Sequence, residues 1–177
     1  IPVVEDAAEA LGSFYKGKHL GSMGLIAGFS FNGNKIVTSG GGGAIISNNE
    51  QLGKQAKYLT TTAKRPHAYE FFHDEVGYNY RMPNLNAALA CAQLEQLDVF
   101  LKSKRNLAKS YSTLFQGSGI KFRTEQADTK VNYWLMCVEL EDKSMRDEFL
   151  EITNTNKIMT RPIWNLMHRL PMYENCQ

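Results

Sequence analysis

The chain has 177 residues, 43% hydrophobic and 21% charged, with a formal net charge of +2. That length holds one domain or two small ones, and the composition is that of a globular protein rather than a disordered or fibrous one. The near-neutral charge gives no broad electrostatic footprint for nucleic acid, and the apolar runs are far too short to span a membrane. Three dispersed cysteines, Cys91, Cys137 and Cys176, lack CxxC or Cys/His metal spacing and suit a reducing, cytoplasmic compartment. Cys91 lies in an apolar helical stretch and reads as a buried thiol. No signal-peptide pattern opens the chain.

In chain order, Ile1-Pro2-Val3-Val4 reads as a buried strand ending at Glu5-Asp6, followed by a turn or short helix to Leu11. Ser13 to Ser22 is a glycine-punctuated hairpin or loop. Gly28 to Phe31 and Ala44 to Ser47 are short strands, separated by the glycine run 40–43. Asn48-Asn49-Glu50 caps a helix from Gln51 to Leu59. Thr60 to Glu75 lacks periodicity and reads as a long excursion of the kind that serves function or reaches a partner subunit. Leu85 to about Phe115 has near-helical apolar spacing and reads as one long helix, with Asn84 as its cap. The aromatic and β-branched run from Val131 to Leu140 predicts a strand. Ser144 to Thr153 predicts a helix capped by Ser144 with Asp147 and Glu148 in its first turn. Lys157 to Ile163 predicts a further strand. The expected division is a first domain over 1–102 and a smaller α+β domain over 103–177.

The residue that carries most chemical information is Lys35, in Gly28-Phe29-Ser30-Phe31-Asn32-Gly33-Asn34-Lys35-Ile36. Most lysines are solvated surface, but this one is flanked by Phe29, Phe31, Ile36 and Val37. Apolar surroundings favour the neutral amine, a usable nucleophile and base. Asp6 stands at the end of the first strand, where a plain turn aspartate is the common alternative. A strand-end carboxylate, a lysine on a serine-containing turn and a glycine run together suit a pyridoxal phosphate site. That cofactor needs an amine, a carboxylate for its pyridine nitrogen, and phosphate donors. Ser30 offers a hydroxyl for the phosphate. The lysine precedes the glycines, so the run at 40–43 is not a P-loop; it suits close backbone packing behind the cofactor. Glu9, three residues after Asp6, would share its face on a helical turn. In Gly77-Tyr78-Asn79-Tyr80-Arg81-Met82, Asn79 is a candidate donor and Arg81 a candidate anion partner. His19, His67, His73 and His168 show no metal spacing, and no metal is expected.

Glu5-Asp6-Ala7-Ala8-Glu9-Ala10-Leu11-Gly12-Ser13, Phe29 to Lys35, Gly77 to Pro83 with Gln93-Leu94-Glu95, and Arg161-Pro162-Ile163-Trp164 with Met167-His168 resemble the DegT/DnrJ/EryC1/StrS family of sugar aminotransferases. The resemblance covers essentially the whole chain. It implies an aspartate-aminotransferase-like fold: part of a large α/β domain with a mainly parallel sheet, and part of a smaller C-terminal α+β domain. It implies that Lys35 forms the imine with pyridoxal 5'-phosphate, Asp6 pairs with the pyridine nitrogen and Ser30 binds the phosphate. Asn79 would reach the cofactor phosphate of a neighbouring subunit, making a homodimer with shared sites. Glu9 falls where many relatives carry glutamine near the ring. Arg81 and His168 become candidate substrate contacts.

The implied reaction moves an amino group, from glutamate, to C4 of a nucleotide-linked 4-keto-6-deoxy sugar. The form Phe-Asn-Gly-Asn-Lys is closest to the branch acting on UDP-linked N-acetylhexosamines. Family members are considerably longer, so a fragment is expected, binding the cofactor weakly and inactive alone. The alternatives are a non-catalytic relative that keeps the fold for binding or dimerisation, and a sugar dehydratase. Lys35 disfavours both, the second because such enzymes typically carry histidine there.

Overall fold

In the computed structural model, residues 1–176 are described. The first strand, β1 (Val4–Asp6), pairs in parallel with β4 (Ile26–Ser30), in the register Val4–Ile26 and Asp6–Gly28. On the other side of β4 runs antiparallel β5 (Gly43–Ile46), so β1 and β5 are the edges of this three-stranded sheet. The apolar run that opens the chain is therefore an edge rather than a buried strand: Val4 is 71% exposed, and Ile45 on the opposite edge 52%.

Between β1 and β4 lies a hairpin, β2 (Phe14–Tyr15) and β3 (Lys18–His19). Its two-residue turn, Lys16-Gly17, has positive φ at both positions, which matches the twist of the flanking strands. Strand β7 (Thr129–Lys130) joins β2 from far along the chain. The glycine run leads into β5. Gly40 and Gly42 adopt positive φ, and a Cβ on Gly43 would fall on the Phe29 carbonyl oxygen. Close backbone packing is thus what Gly43 provides.

Helix α1 (Glu50–Thr60) starts at Asn49, whose side-chain oxygen accepts the N–H groups of Gln51 and Leu52. Such a cap is worth about 1 kcal/mol. The expected single helix after Pro83 is two: α2 (Asn84–Leu94) and α3 (Leu97–Leu114). Around Glu95 and Gln96 the chain tightens, with Gln96 N–H bonded to the Gln93 carbonyl. The step lets Leu97 and Phe100 reach the same apolar cluster as Ala90, built on Phe31 and Val37. Pro83, not Asn84, occupies the cap, and Asn84 is the first helical residue. Cys91 is exposed rather than buried, as are Cys137 and Cys176.

The chain forms two compact units, residues 1–114 with 124–136, and 115–123 with 137–177. The second unit contains β6 (Lys121–Phe122) paired with β8 (Val138–Glu139), helix α4 (Lys143–Thr155) and two short 3-10 helices. Asp142, not Ser144, caps α4 by accepting the Met145 N–H, which places Asp147 and Glu148 beyond its first turn. No strand forms over 157–163. Lys157 has positive φ, and the Thr160 hydroxyl bonds to Thr153, so this segment folds back on the end of α4. Nor is 131–140 a continuous strand; only Val138–Glu139 pairs, and Tyr133 has φ 50°. No helix among the described residues is long and apolar enough to cross a membrane.

Candidate active site

The parallel pair β1 and β4 ends with Asp6 and Ser30 on the same side of the sheet. Ligands of open α/β sheets bind beyond such carboxyl ends. Glu5, one residue before Asp6, secures the neighbouring loop. Its Oε2 accepts Gly21 N–H at 2.6 Å, and its Oε1 accepts Met23 N–H at 2.7 Å and Gly24 N–H. The Gly24 bond is the largest cause of a Glu5 pKa below the ordinary glutamate value. The other two N–H groups and His19 add to it, against the opposing effect of burial. The carboxylate thereby holds the chain that enters β4. Nothing in the spacing of Glu5 separated it from a solvated residue.

Asp6 is exposed and accepts the Ala8 N–H through Oδ1 at 3.1 Å. Ser30 accepts the Asn32 N–H at 3.2 Å, which leaves its O–H as a donor. Lys35 follows a turn in which its own N–H bonds to the Asn32 carbonyl. Phe31 and Val37, on either side, enter the apolar cluster and root this turn. The lysine Nζ lies 2.9 Å from Glu9 Oε1, with side-chain exposures of 13% and 46%. The purely apolar setting expected for Lys35 is therefore not what surrounds its amine. A carboxylate and the Trp134 indole both stand beside it, the latter 4.3 Å from ring centroid to Nζ.

Trp134 went unmarked in the sequence, because its aromatic run read as a strand. Its Nε1–H donates to the Asn34 carbonyl at 2.5 Å, a hundred residues away. Neighbouring Asn132 is buried and makes four hydrogen bonds. Its N–H donates to Ser13 Oγ, its Nδ2 to the carbonyls of Glu9 and Leu11, and its Oδ1 accepts Trp134 N–H.

Asn79 and Arg81 lie between the excursion over 60–75 and α2. Asn79 forms an isolated antiparallel bridge with Thr61, and Arg81 donates to the Thr61 carbonyl at 3.2 Å. Arg81 also lines a cleft of about 790 Å³ with Lys57, Thr60, Asn86 and glycines 41–43. The excursion is clasped by Asp74, which accepts from Tyr58 O–H and from Arg65 Nε. These two bonds, the tyrosine's first, hold the Asp74 pKa below its ordinary value. His168 lies in the first 3-10 helix of the second unit. Among the described residues no group of three or more His, Cys, Asp or Glu side chains is placed to hold a metal ion.

The model of the DegT/DnrJ/EryC1/StrS aminotransferase family matches residues 1–177. The chain belongs to this family. It is 38% identical over 175 residues to EpsN of Bacillus subtilis (strain 168), provisionally named a pyridoxal phosphate-dependent aminotransferase, across 98% of this chain and 45% of that protein. It is also 38% identical over 171 residues to the GDP-perosamine synthase of Escherichia coli O157:H7, across 97% of this chain and 46% of that protein. The solved structure of Helicobacter pylori PseC, an aminotransferase involved in the biosynthesis of pseudoaminic acid, superposes with a TM-score of 0.92 at 21% identity. That match covers 99% of this chain and 48% of the other. The fold is thus of the aspartate-aminotransferase-like type, and the cofactor of the family is pyridoxal phosphate. The chain spans about half the length of the curated relatives it matches.

Proposed function

We propose that the full-length polypeptide transfers an amino group from an amino acid, glutamate in our reading, to the keto carbon of a nucleotide-linked sugar. The observation that carries this is the Lys35 amine, nearly enclosed and paired with Glu9, beside the ends of two parallel strands that carry Asp6 and Ser30. Membership of the aminotransferase family over the whole chain supports it. So does the likeness to a GDP-perosamine synthase.

The donor set fits pyridoxal phosphate. Lys35 would attach the cofactor, Asp6 would face its pyridine nitrogen, Ser30 would donate its hydroxyl to the phosphate, and Glu9 would stand near the ring. When bound, the cofactor supplies an electron sink for charge developing at the substrate carbon. The chain's own part is to move protons. Glu9 Oε1, 2.9 Å from Lys35 Nζ, orients the lysine through an ion pair, and solvent would take the proton that the lysine must lose before it acts as nucleophile or base. Asp6, at the end of a strand, would keep a ring nitrogen protonated.

We read the first unit as part of a larger cofactor-binding domain and the second as part of the small C-terminal domain. The exposed apolar edges at Val4 and Ile45 suit pairing with further strands of that larger domain. Asn79 would complete the site of a second copy in a cytoplasmic homodimer. Arg81 and His168 would contact substrate.

The narrower assignment is amination at C4 of UDP-linked 4-keto-6-deoxy-N-acetylhexosamines. The deciding experiment incubates the full-length polypeptide with pyridoxal phosphate, glutamate and UDP- or GDP-linked 4-keto-6-deoxy sugars, and identifies products by mass spectrometry and NMR. A 4-amino sugar from the UDP series is expected. Amination confined to the GDP series would overturn the narrower assignment, and amination of neither would overturn the function.

A further inference from the structure

Residues 132–134 contact both members of the Lys35–Glu9 pair. Asn132 Nδ2 donates to the backbone carbonyl of Glu9 at 2.7 Å. Trp134 acts on the lysine twice. Its indole N–H holds the carbonyl of Asn34, the residue just before Lys35, and its ring face lies 4.3 Å from the lysine nitrogen. An aromatic face attracts a cation, more strongly where water is scarce, and the Lys35 side chain is only 13% exposed. Trp134 is itself restrained at the backbone. Its N–H donates to Asn132 Oδ1 at 2.9 Å, and its carbonyl accepts Lys104 Nζ at 3.2 Å. A rigid side chain that fixes both the peptide carrying a lysine and the end of that lysine restricts where the amine can point. Orientation of this kind governs the rate at which a bound partner is attacked.

We propose that Trp134 is a positioning residue for Lys35, setting the direction of its amine with the indole face and fixing the preceding peptide through Asn34. This rests on the reading of Lys35 as the amine that attaches the cofactor.

Two measurements on the full-length polypeptide, freed of cofactor, test it. In the first, lysines are dimethylated with 13C-formaldehyde, and the Lys35 signal is assigned by its loss in Lys35→Arg. Ring-current shielding should place the Lys35 methyl protons upfield of those of the other lysines. The shift should persist in Trp134→Phe and vanish in Trp134→Leu. In the second, Lys35 is trapped with pyridoxal phosphate and cyanoborohydride. The amine adds to the aldehyde carbon, water leaves, and hydride reduces the new C=N bond; the adduct is read as a mass increase on the Lys35 peptide. Trapping should slow about tenfold in Trp134→Leu and less in Trp134→Phe, with unchanged circular dichroism. An unshifted wild-type signal, or trapping in Trp134→Leu as fast as in wild type, overturns the proposal. Should Trp134→Leu not fold, Trp134→Phe decides: a retained shift with slowed trapping supports the proposal, and wild-type trapping overturns it. Wild-type protein that is never trapped at Lys35 overturns the proposed function instead, and the methyl shift then decides the Trp134 contact by itself.

Discussion

Asn132 and Glu9, separated by 123 positions in the chain, are joined by an Nδ2–H to carbonyl hydrogen bond of 2.7 Å. Asn132 is 3% exposed, and its other bonds reach Ser13, Leu11 and Trp134. Removing its side chain leaves the part-buried Glu9 and Leu11 carbonyls without these donors. Asn132→Ala is expected to lower stability by about 2–4 kcal/mol, measured by urea unfolding. Asn132→Asp, which keeps the acceptor for Trp134 but loses the donors, should also be clearly destabilised. A change within experimental error for both would show that the bonds carry little.

Glu5 should make the protein sensitive to acid. Its folded pKa is depressed, chiefly by the Gly24 N–H, so its stabilising contribution is fully present above the ordinary glutamate value near 4.5. The contribution fades as pH falls towards and through the lower folded value. Glu5→Gln should therefore be less stable than wild type at pH 7, by about 1 kcal/mol or less once solvent screening is allowed for. The difference should shrink at low pH. Melting curves across pH 3 to 7 check this, and a gap that widens on acidification would contradict it.

The Lys35–Glu9 pair is half open to solvent on the glutamate side. Pairs of that kind contribute little to folding. Lys35→Met should change stability by less than about 1 kcal/mol while abolishing trapping by pyridoxal phosphate and hydride. Thermal melting and peptide mass mapping, done together, separate the two effects. A large loss of stability would recast Lys35 as a structural residue.

Asp74 links Tyr58 on α1 to Arg65 on the excursion that follows. Asp74→Asn removes the charge that draws both donors. Segment 64–76 should then exchange its amide hydrogens faster and be cut sooner by protease, with α2 and α3 unaffected. Peptide-resolved hydrogen exchange shows this directly, and unchanged protection over 64–76 would contradict it.

Much of the scaffold was readable along the chain, because it rests on local rules. The runs around Val4, Phe29 and Ile45 form strands, Asn49 caps a helix, and the Lys16-Gly17 turn makes a hairpin. Within the glycine run, Gly43 makes a close backbone approach to Phe29. The errors arose where distant contacts outweighed local preference. No Gly or Pro marks the step at Glu95-Gln96; the pull of Leu97 and Phe100 towards Phe31 and Val37 makes it. The aromatics after Val131 suited a strand, but Asn132 and Trp134 bond to Ser13, Glu9 and Asn34 instead. At the candidate site, Lys35 and Glu9 were singled out from residue type and spacing. Glu5 and Trp134 were missed because their partners lie about twenty and a hundred positions away.

The return of residues 124–136 to the first unit, after the chain has entered the second, has a consequence for synthesis. A nascent polypeptide carries Lys35 and Glu9 long before it carries Asn132 and Trp134. While those are still in the ribosome tunnel, the lysine has its carboxylate neighbour but neither its indole nor the brace on Glu9. Contacts of such high sequence separation form late, since the intervening loop must first be closed. The surroundings of the lysine are therefore complete only after translation has passed well beyond residue 134.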